Sequence, residues 1–317
     1  MVLPQHVRQY VEEYAAGIPF AELGKAVTVL SEQYRAHRNT ASVPLSPHAR
    51  TAAYLVSRLP ATYAAALDAL SIARRRLPDW TPRTVLDLGA GTGAAALAAI
   101  EAFGPELTLS LIEPDKELAR AGRELLPDAA WHNTDLTRLP AGLPPHDLVI
   151  ANYTFSELPS TKHLAAAERA WQATAGVLVI VEPGSPAGFS VVREIRETLL
   201  KQGARMVAPC PAETACPIPT GDWCHFAARV ERSALHRRLK NATLSYEDEK
   251  YSYLVLTRLP DPPPLVEARI IRRPTHSPGM IQIDLCRPDG LGTLRVTKKD
   301  RDRFRTARKA AWGDPWA

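Results

Sequence analysis

From Thr84 the chain alternates short β-rich runs with helical stretches, and that alternation restricts the fold more than any other feature. TVLDLG, LTLSLIE, DLVIAN and GVLVIVE are strand candidates, and TGAAALAAIEAF, DKELARAGRELL and KHLAAAERAWQ are the helix candidates between them. Strands separated by helices of this length need crossover connections, which build a mainly parallel sheet covered on both faces. Residues 188–202 add a helix, and YSYLVLTRL (251–259) supplies the last strand of the sheet. Upstream, VRQYVEEYAAG, PFAELGKAVTVLSEQYRAHR, ARTAAYLVSRL and ATYAAALDALSIARRRL repeat apolar residues at helical spacing, and Ser46-Pro47 makes an N-cap and first helical position. The resulting division is an N-terminal helical segment (1–80), an α/β domain (81–260) with a Cys-rich insertion at 208–240, and a unit at 265–317. Pro209, Pro211, Pro217 and Pro219 keep regular structure out of the first part of the insertion. Beyond the stiff Asp261-Pro262-Pro263-Pro264 linker, ARIIRRP, MIQIDLCRP and GTLRVTK read as short strands of a small β unit with a basic tail.

With 45% hydrophobic residues over 317, the chain has enough apolar mass for a packed core, which excludes global disorder. No apolar run approaches the roughly 20 residues of a membrane-spanning helix, so no membrane association is expected. The first residues carry neither a signal peptide's apolar stretch nor an Arg-rich transit character, and the expected location is a bacterial cytoplasm. The net charge of +5 is unevenly placed: residues 265–317 hold 12 Lys and Arg against 6 Asp and Glu. An anionic partner is therefore expected at the C-terminal end.

VLDLGAGTG sets Asp87, Gly89, Gly91 and Gly93 at the junction of a strand and a helix. Glycines there let the backbone turn sharply and approach a ligand, and the helix N-terminus attracts an anionic group. The spacing alone also satisfies a dinucleotide fingerprint. Asp87, however, suits a ligand with an ammonium group and would repel a pyrophosphate, while Glu113 at the end of the next strand can accept both hydroxyls of a ribose. With Asp135 after the third strand, the set resembles the S-adenosylmethionine site of class I methyltransferases. That resemblance implies a Rossmann-like sheet in which Asp87 and Gly89 to Gly93 hold the amino acid portion, Glu113 the ribose and Asp135 the adenine amino group. Asn152 closes the fourth strand at the position where amino-group methyltransferases carry an acidic residue or Asn, then two prolines and an aromatic; the prolines are missing in Asn152-Tyr153-Thr154-Phe155. Asn152 is counted among the cofactor contacts, Tyr153 as packing and Glu157 as a helix-cap carboxylate. No residue is assigned as catalytic.

Cys210, Cys216, Cys224 and Cys286 are the only cysteines, spaced C-x5-C-x7-C-x61-C. Zinc knuckles use tighter C-x2-4-C pairs, whereas a cubane iron–sulfur cluster takes one cysteine at each corner and tolerates irregular loops. A 4Fe-4S cluster is therefore expected, with zinc as the alternative and all four cysteines as ligands. Pro209-Cys210 looks superficially like the nucleophile of cytosine C5 methylation, but a ligand role is the more economical reading. Because Cys286 lies past the linker, metal would clamp the C-terminal unit onto the insertion.

Arg58-Leu59-Pro60-Ala61-Thr62-Tyr63-Ala64, DLGAGTG, CP...CP...DWCHF, YEDEKYSYLVL and ARKAAWGDPW together resemble the methyltransferase-like proteins of the small ribosomal subunit, the Rsm-twenty-two family of mitochondria and bacteria. The resemblance covers nearly the whole chain. It implies a class I methyltransferase fold, a four-cysteine iron–sulfur site and association with the small subunit or its assembly precursor. The residues agree on a structured RNA partner. Arg229, Arg232, Arg237 and Arg238 in the insertion and Lys298, Lys299, Arg301, Arg303 and Arg305 in the tail can neutralise phosphates. Trp312 and Trp316 read as anchors of the tail to its own core. The expected function is an iron–sulfur, S-adenosylmethionine-dependent methyltransferase-like protein on the small subunit or its rRNA, as assembly factor or rRNA methyltransferase, monomeric off the ribosome. The alternative is a small-molecule methyltransferase with a structural metal site.

Overall fold

The computed structural model describes residues 1–36, 45–138 and 144–317; His37 and Arg38, at the end of the second predicted helix, lie outside them. Four helices open the chain: α1 (Gln5–Ala16), α2 (Phe20–Ala36), α3 (Pro47–Ser57) and α4 (Leu59–Arg76). Ser46 caps α3 as expected, its hydroxyl accepting the Ala49 amide at 3.1 Å with Pro47 in the first turn. In α4, Ala61, Ala64, Ala65, Ala69 and Ala73 are buried, which lets the helix approach its neighbours closely. Arg74 to Arg76 complement its C-terminal dipole.

The alternating region follows as β1 (Thr84–Leu88), α5 (Ala94–Phe103), β2 (Thr108–Ile112), α6 (Lys116–Leu125), β3 (Ala130–His132), β4 (His146–Asn152), α7 (His163–Gln172), β5 (Thr174–Pro183), α8 (Pro186–Lys201) and β6 (Arg205–Ala208). Next come β7 (Phe226–Glu231), α9 (Ala234–Leu239) and β8 (Tyr246–Thr257). The sheet order is β3-β2-β1-β4-β5-β8-β6, parallel from β3 to β5, with β8 antiparallel between β5 and β6. An antiparallel strand inserted next to the edge of a doubly wound parallel sheet is the class I methyltransferase arrangement expected from the sequence. Val177 to Val181 and Leu148 to Ala151 are buried on both faces, which explains their continuous apolar runs. One core lies between the sheet and α1 to α5, so the N-terminal helices share it with the sheet; a second lies under α7 and α8.

Three segments of this sheet hold strand that the sequence reading did not give: β6, which pairs β8, and two more. HFAARVERSALHRRLK contains a strand, because Phe226, Ala228 and Val230 point inward while Arg229 and Glu231 face water. Its partner is the first half of β8, which starts at Tyr246 rather than at Tyr251; Phe226 pairs Tyr251 and Glu231 pairs Tyr246.

The C-terminal unit is a five-stranded sheet of β9 (Ala268–Ile270), β10 (Thr275–Ser277), β11 (Met280–Arg287), β12 (Gly290–Thr297) and β13 (Pro315–Trp316), with α10 (Arg301–Ala307). It has its own core of Ile270, Ile283, Leu285, Val296, Ala307 and Trp316, among others. Trp316 anchors the tail as expected, and Trp312 packs on the main core edge-on to His225, 4.8 Å between ring centres.

Candidate functional site

The C-terminal ends of β1, β2 and β4 lie beside the point where strand order reverses, the place where open α/β sheets form a ligand crevice. Gly91 has φ of 57° and a Cβ there would stand 2.7 Å from the Tyr54 hydroxyl, so both conformation and space demand glycine. Asp87 is buried. Its Oδ2 accepts the Ala96 amide at 3.1 Å, and its Oδ1 has no partner among the described residues. Burial pushes its pKa up to about 7, with Glu113 adding to the rise and the Ala96 amide opposing it. Glu113, also buried, accepts the Gly91 amide on Oε2 and the Asp115 amide on Oε1, each at 2.7 Å. Burial again dominates, lifting it to about 7 against those two hydrogen bonds.

Asn152 donates to the Thr62 carbonyl at 3.3 Å and leaves a buried Oδ1 without a partner among the described residues. Asp135 is half-buried and accepts from the Thr137 amide at 2.7 Å and from the Thr137 hydroxyl, the larger cause of its lowered pKa. Asp87, the glycine loop, Glu113 and Asn152 thus share three adjacent strand ends, while Asp135 gives one oxygen, Oδ1, to its own turn. The orphaned Asp87 Oδ1 fits an incoming ammonium group. Each Glu113 oxygen accepts one amide and keeps a second lone pair for a ligand hydroxyl.

Sequence reading missed the cover of this crevice. Arg50, Tyr54 and Arg58 recur every four residues along α3 and its end, a one-face spacing that is legible once the helix is known. Arg50 pairs with Asp115 at 2.7 Å beyond β2, Tyr54 lies on Gly91, and the Arg58 guanidinium sits 5.3 Å from the centre of the Tyr153 ring beyond β4. Tyr153 is buried, adopts φ of 60°, and donates its hydroxyl to Glu249 at 2.8 Å. Glu182, at the end of β5, was missed as well. It is fully buried and accepts the amides of Phe155 and Ser156 at 2.8 and 3.1 Å, anchoring the turn after Tyr153.

A second candidate site lies beside α8. Cys210, Cys216, Cys224 and Cys286 all line one cavity of about 180 Å3, more than ten times the ~10–15 Å3 that admits a water. None is in a disulfide. Among the described residues no three His, Cys, Asp or Glu side chains come close enough to hold a single metal ion. Burial pushes the thiols of Cys210, Cys224 and Cys286 up, Cys286 to about 12, and the neighbouring sulfurs add to the rise. The loop is held firmly: Arg193 donates to the Ile218 carbonyl at 3.0 Å, the Trp223 indole to Gly184 at 3.0 Å, and Ser252 to Cys224 at 2.7 Å. Four soft donors line one space, the chemistry that metal–thiolate centres use, whether a multi-iron core or zinc.

The basic residues divide. Arg229 is spent on Asp248 at 2.9 Å and stacks on Tyr246, and Arg232 is half-buried against Glu247 at 2.7 Å, so neither presents the free cation expected of it. Arg238 lies over Phe20 at 4.8 Å. Lys298, Lys299, Arg301 and Arg303 are exposed around the start of α10, and Arg305 is exposed beside Asp302.

Comparison with known proteins places these features. Human METTL17, a mitochondrial ribosome assembly protein, is 28% identical over 291 residues, 82% of this chain and 61% of that protein. Rsm22-cox11 tandem protein 2 of Schizosaccharomyces pombe, also mitochondrial, is 26% identical over 319 residues, 83% of this chain and 42% of that one. The chain therefore spans about half of these relatives' length. Among solved structures, the plantazolicin methyltransferase BpumL in complex with SAH aligns with a TM-score of 0.44 at 12% identity, over 80% of this chain and 100% of that chain. The bacterial cytoplasmic location expected from the sequence is corrected by the relatives' names, which point to mitochondria instead. That expectation rested on the lack of a targeting signal, and the lack of a signal locates nothing. Likewise, among the described residues no helix is long and apolar enough to cross a membrane, and that is all it says. The model described as Mitochondrial small ribosomal subunit Rsm22 matches residues 48–317, from the helix over the crevice to the C-terminal β unit, and the chain belongs to that family.

Proposed function

We propose that this chain is an assembly factor of the small ribosomal subunit, with S-adenosylmethionine in its crevice and an iron–sulfur cluster on Cys210, Cys216, Cys224 and Cys286. The observation that carries the reading is the common cavity of four cysteines drawn from both sides of the proline linker. A shared metal centre there ties the β unit that holds the surplus positive charge to the methyltransferase sheet. Its bonds contribute folding free energy to both partners, and a metal ion binds the thiolate and so displaces to solvent the proton that burial otherwise holds on the sulfur. Zinc on the same thiolates is the alternative occupant, and would require the sulfurs to draw closer together than they stand here. The exposed cations around α10 then meet RNA phosphates as one oriented surface.

S-adenosylmethionine, when bound, supplies an electrophilic methyl group. The chain's part is to accept the ammonium on Asp87 Oδ1, to orient the ribose with Glu113 and the adenine with Asp135, and to close the crevice with Tyr54. Tyr153 holds its hydroxyl on Glu249 and presents no free base, in keeping with a protein whose role is binding.

Co-sedimentation with small subunits or their precursors tests the proposal, comparing wild type, Cys224→Ser and Asp87→Ala with radiolabelled methyl donor present. The cysteine variant is expected to leave the ribosomal fractions and the Asp87 variant to remain. Loss confined to Asp87→Ala, or label transferred to RNA by wild type, would instead indicate a methyltransferase whose RNA affinity follows its cofactor. Anaerobic protein should be brown with about four irons per chain.

A further inference from the structure

Arg196 and Arg269 are 4% exposed each, among the most deeply buried charges in the chain, and both line the four-cysteine cavity. Arg196 comes from α8, and Arg269 from β9, where it is the cross-strand neighbour of Cys286. Neither has a carboxylate partner among the described residues. Arg196 donates to the carbonyls of Ala212 at 2.7 Å and Thr214 at 2.9 Å, and Arg269 to those of Pro209 at 2.9 Å and Gly313 at 2.8 Å. Each keeps one buried nitrogen without any partner there, Nε of Arg196 and Nη2 of Arg269. The other charged side chains lining the cavity are Arg193, Arg287 and an exposed Asp289.

Two buried, permanently charged guanidiniums without an anion are expensive to retain. Four thiolates around a cubane core, or around one zinc ion, leave an occupant with about two negative charges. We infer that Arg196 and Arg269 are built-in counter-ions of the metal–thiolate centre, matching its net charge from inside the fold and directing their spare N–H groups at it. The inference rests on the four-cysteine reading above. It explains why the cavity retains two arginines whose carbonyl contacts neutral donors could make, and why Arg196 also lies within hydrogen-bonding reach of the Cys210 sulfur.

The test uses the full chain, purified anaerobically as wild type and with Arg196→Met, Arg196→Lys, Arg269→Met or Arg269→Lys. Iron, sulfide and zinc per chain are measured first; wild type without stoichiometric metal removes the four-cysteine reading itself. With metal present, release to bathophenanthroline disulfonate (iron) or EDTA (zinc) is followed, with melting temperatures of loaded and stripped protein. Each Met variant should release metal about 10–100-fold faster. Each Lys variant keeps the positive charge, which the anionic centre beside it holds protonated, and should stay within about threefold of wild type. The melting temperature should fall more in loaded than in stripped Met variants. With iron bound, removing a positive charge disfavours the reduced state, so the one-electron equilibrium should shift at least tenfold, about 59 mV toward lower potential. Equal release from Lys and Met variants, or equal losses of melting temperature in loaded and stripped protein, would show that the arginines only hold loop carbonyls and would overturn the inference. Where a Met variant does not fold, the Lys variant at that position decides: retained metal supports the charge role, and release about tenfold faster than wild type overturns it.

Discussion

Asp87 concentrates the chemistry of the crevice in one side chain. Its burial and raised pKa, about 7, leave it largely protonated below neutrality, whereas a cationic ammonium selects the ionised form. Affinity for S-adenosylmethionine, measured by titration calorimetry, should therefore rise with pH through about 7 and flatten in Asp87→Asn, with a loss of roughly 10–100-fold from one charge-assisted hydrogen bond. The sign for stability runs the other way. An acid whose folded pKa is raised stabilises the fold least once pH exceeds that pKa, so Asp87→Asn should raise the melting temperature of ligand-free protein more at about pH 8 than at about pH 5. No binding heat in wild type would sink the assignment. Asp87, Glu113 and the glycines are legible in the sequence because a strand–turn–helix junction fixes their spacing. What is not legible is how their atoms are spent: that Glu113 gives both oxygens to amides, or that Asp135 turns back on Thr137, depends on rotamers that no pattern of residue types encodes.

At the scale of elements, α3 spans the tips of β2, β1 and β4 through Arg50, Tyr54 and Arg58. Gly91→Ala should destabilise by about 1–3 kcal/mol in urea titration, because φ of 57° is disfavoured for alanine and the new methyl meets the Tyr54 hydroxyl. Adding Tyr54→Phe should recover only the steric part. Full recovery would mean that the backbone tolerates the change and that the steric clash alone matters. The predicted helices and the four central strands match because periodicity and burial agree there. β7 escapes sequence reading because Arg229 and Glu231 look like part of a charge cluster, although their alternation with Phe226, Ala228 and Val230 already has the period of a half-buried strand. The early start of β8 escapes for the converse reason: Glu247 to Lys250 are polar, and only pairing with β7 makes them a strand.

For the whole molecule, the cysteine cavity joins two sheets that otherwise meet through contacts such as Arg269 on Pro209 and Arg272 on Asp222 at 2.5 Å. Cys286→Ser should therefore raise proteolysis at residues 265–267, just past the Asp261-Pro262-Pro263-Pro264 linker, while leaving the C-terminal core folded, since that core is its own. Unchanged proteolysis would show that the protein's own packing suffices without metal. Replacing Lys298, Lys299, Arg301 and Arg303 by Glu should weaken small-subunit RNA binding and flatten its salt dependence by about 0.7–0.9 for each phosphate no longer engaged; an unchanged slope would place the RNA elsewhere. That four cysteines belong together is legible from their number and clustering, but the two arginines among them are not, since nothing in their sequence neighbourhood marks them as buried. The order of the ligands along the chain adds a timing. Cys210, Cys216 and Cys224 leave a translating ribosome together, and Cys286 follows after 61 intervening residues, a wait of about 3–12 s at ordinary synthesis rates. A four-thiolate centre here can be completed only once β11 has been made, so metal capture would report synthesis through β11 and leave chains interrupted between Cys224 and Cys286 with three open thiols.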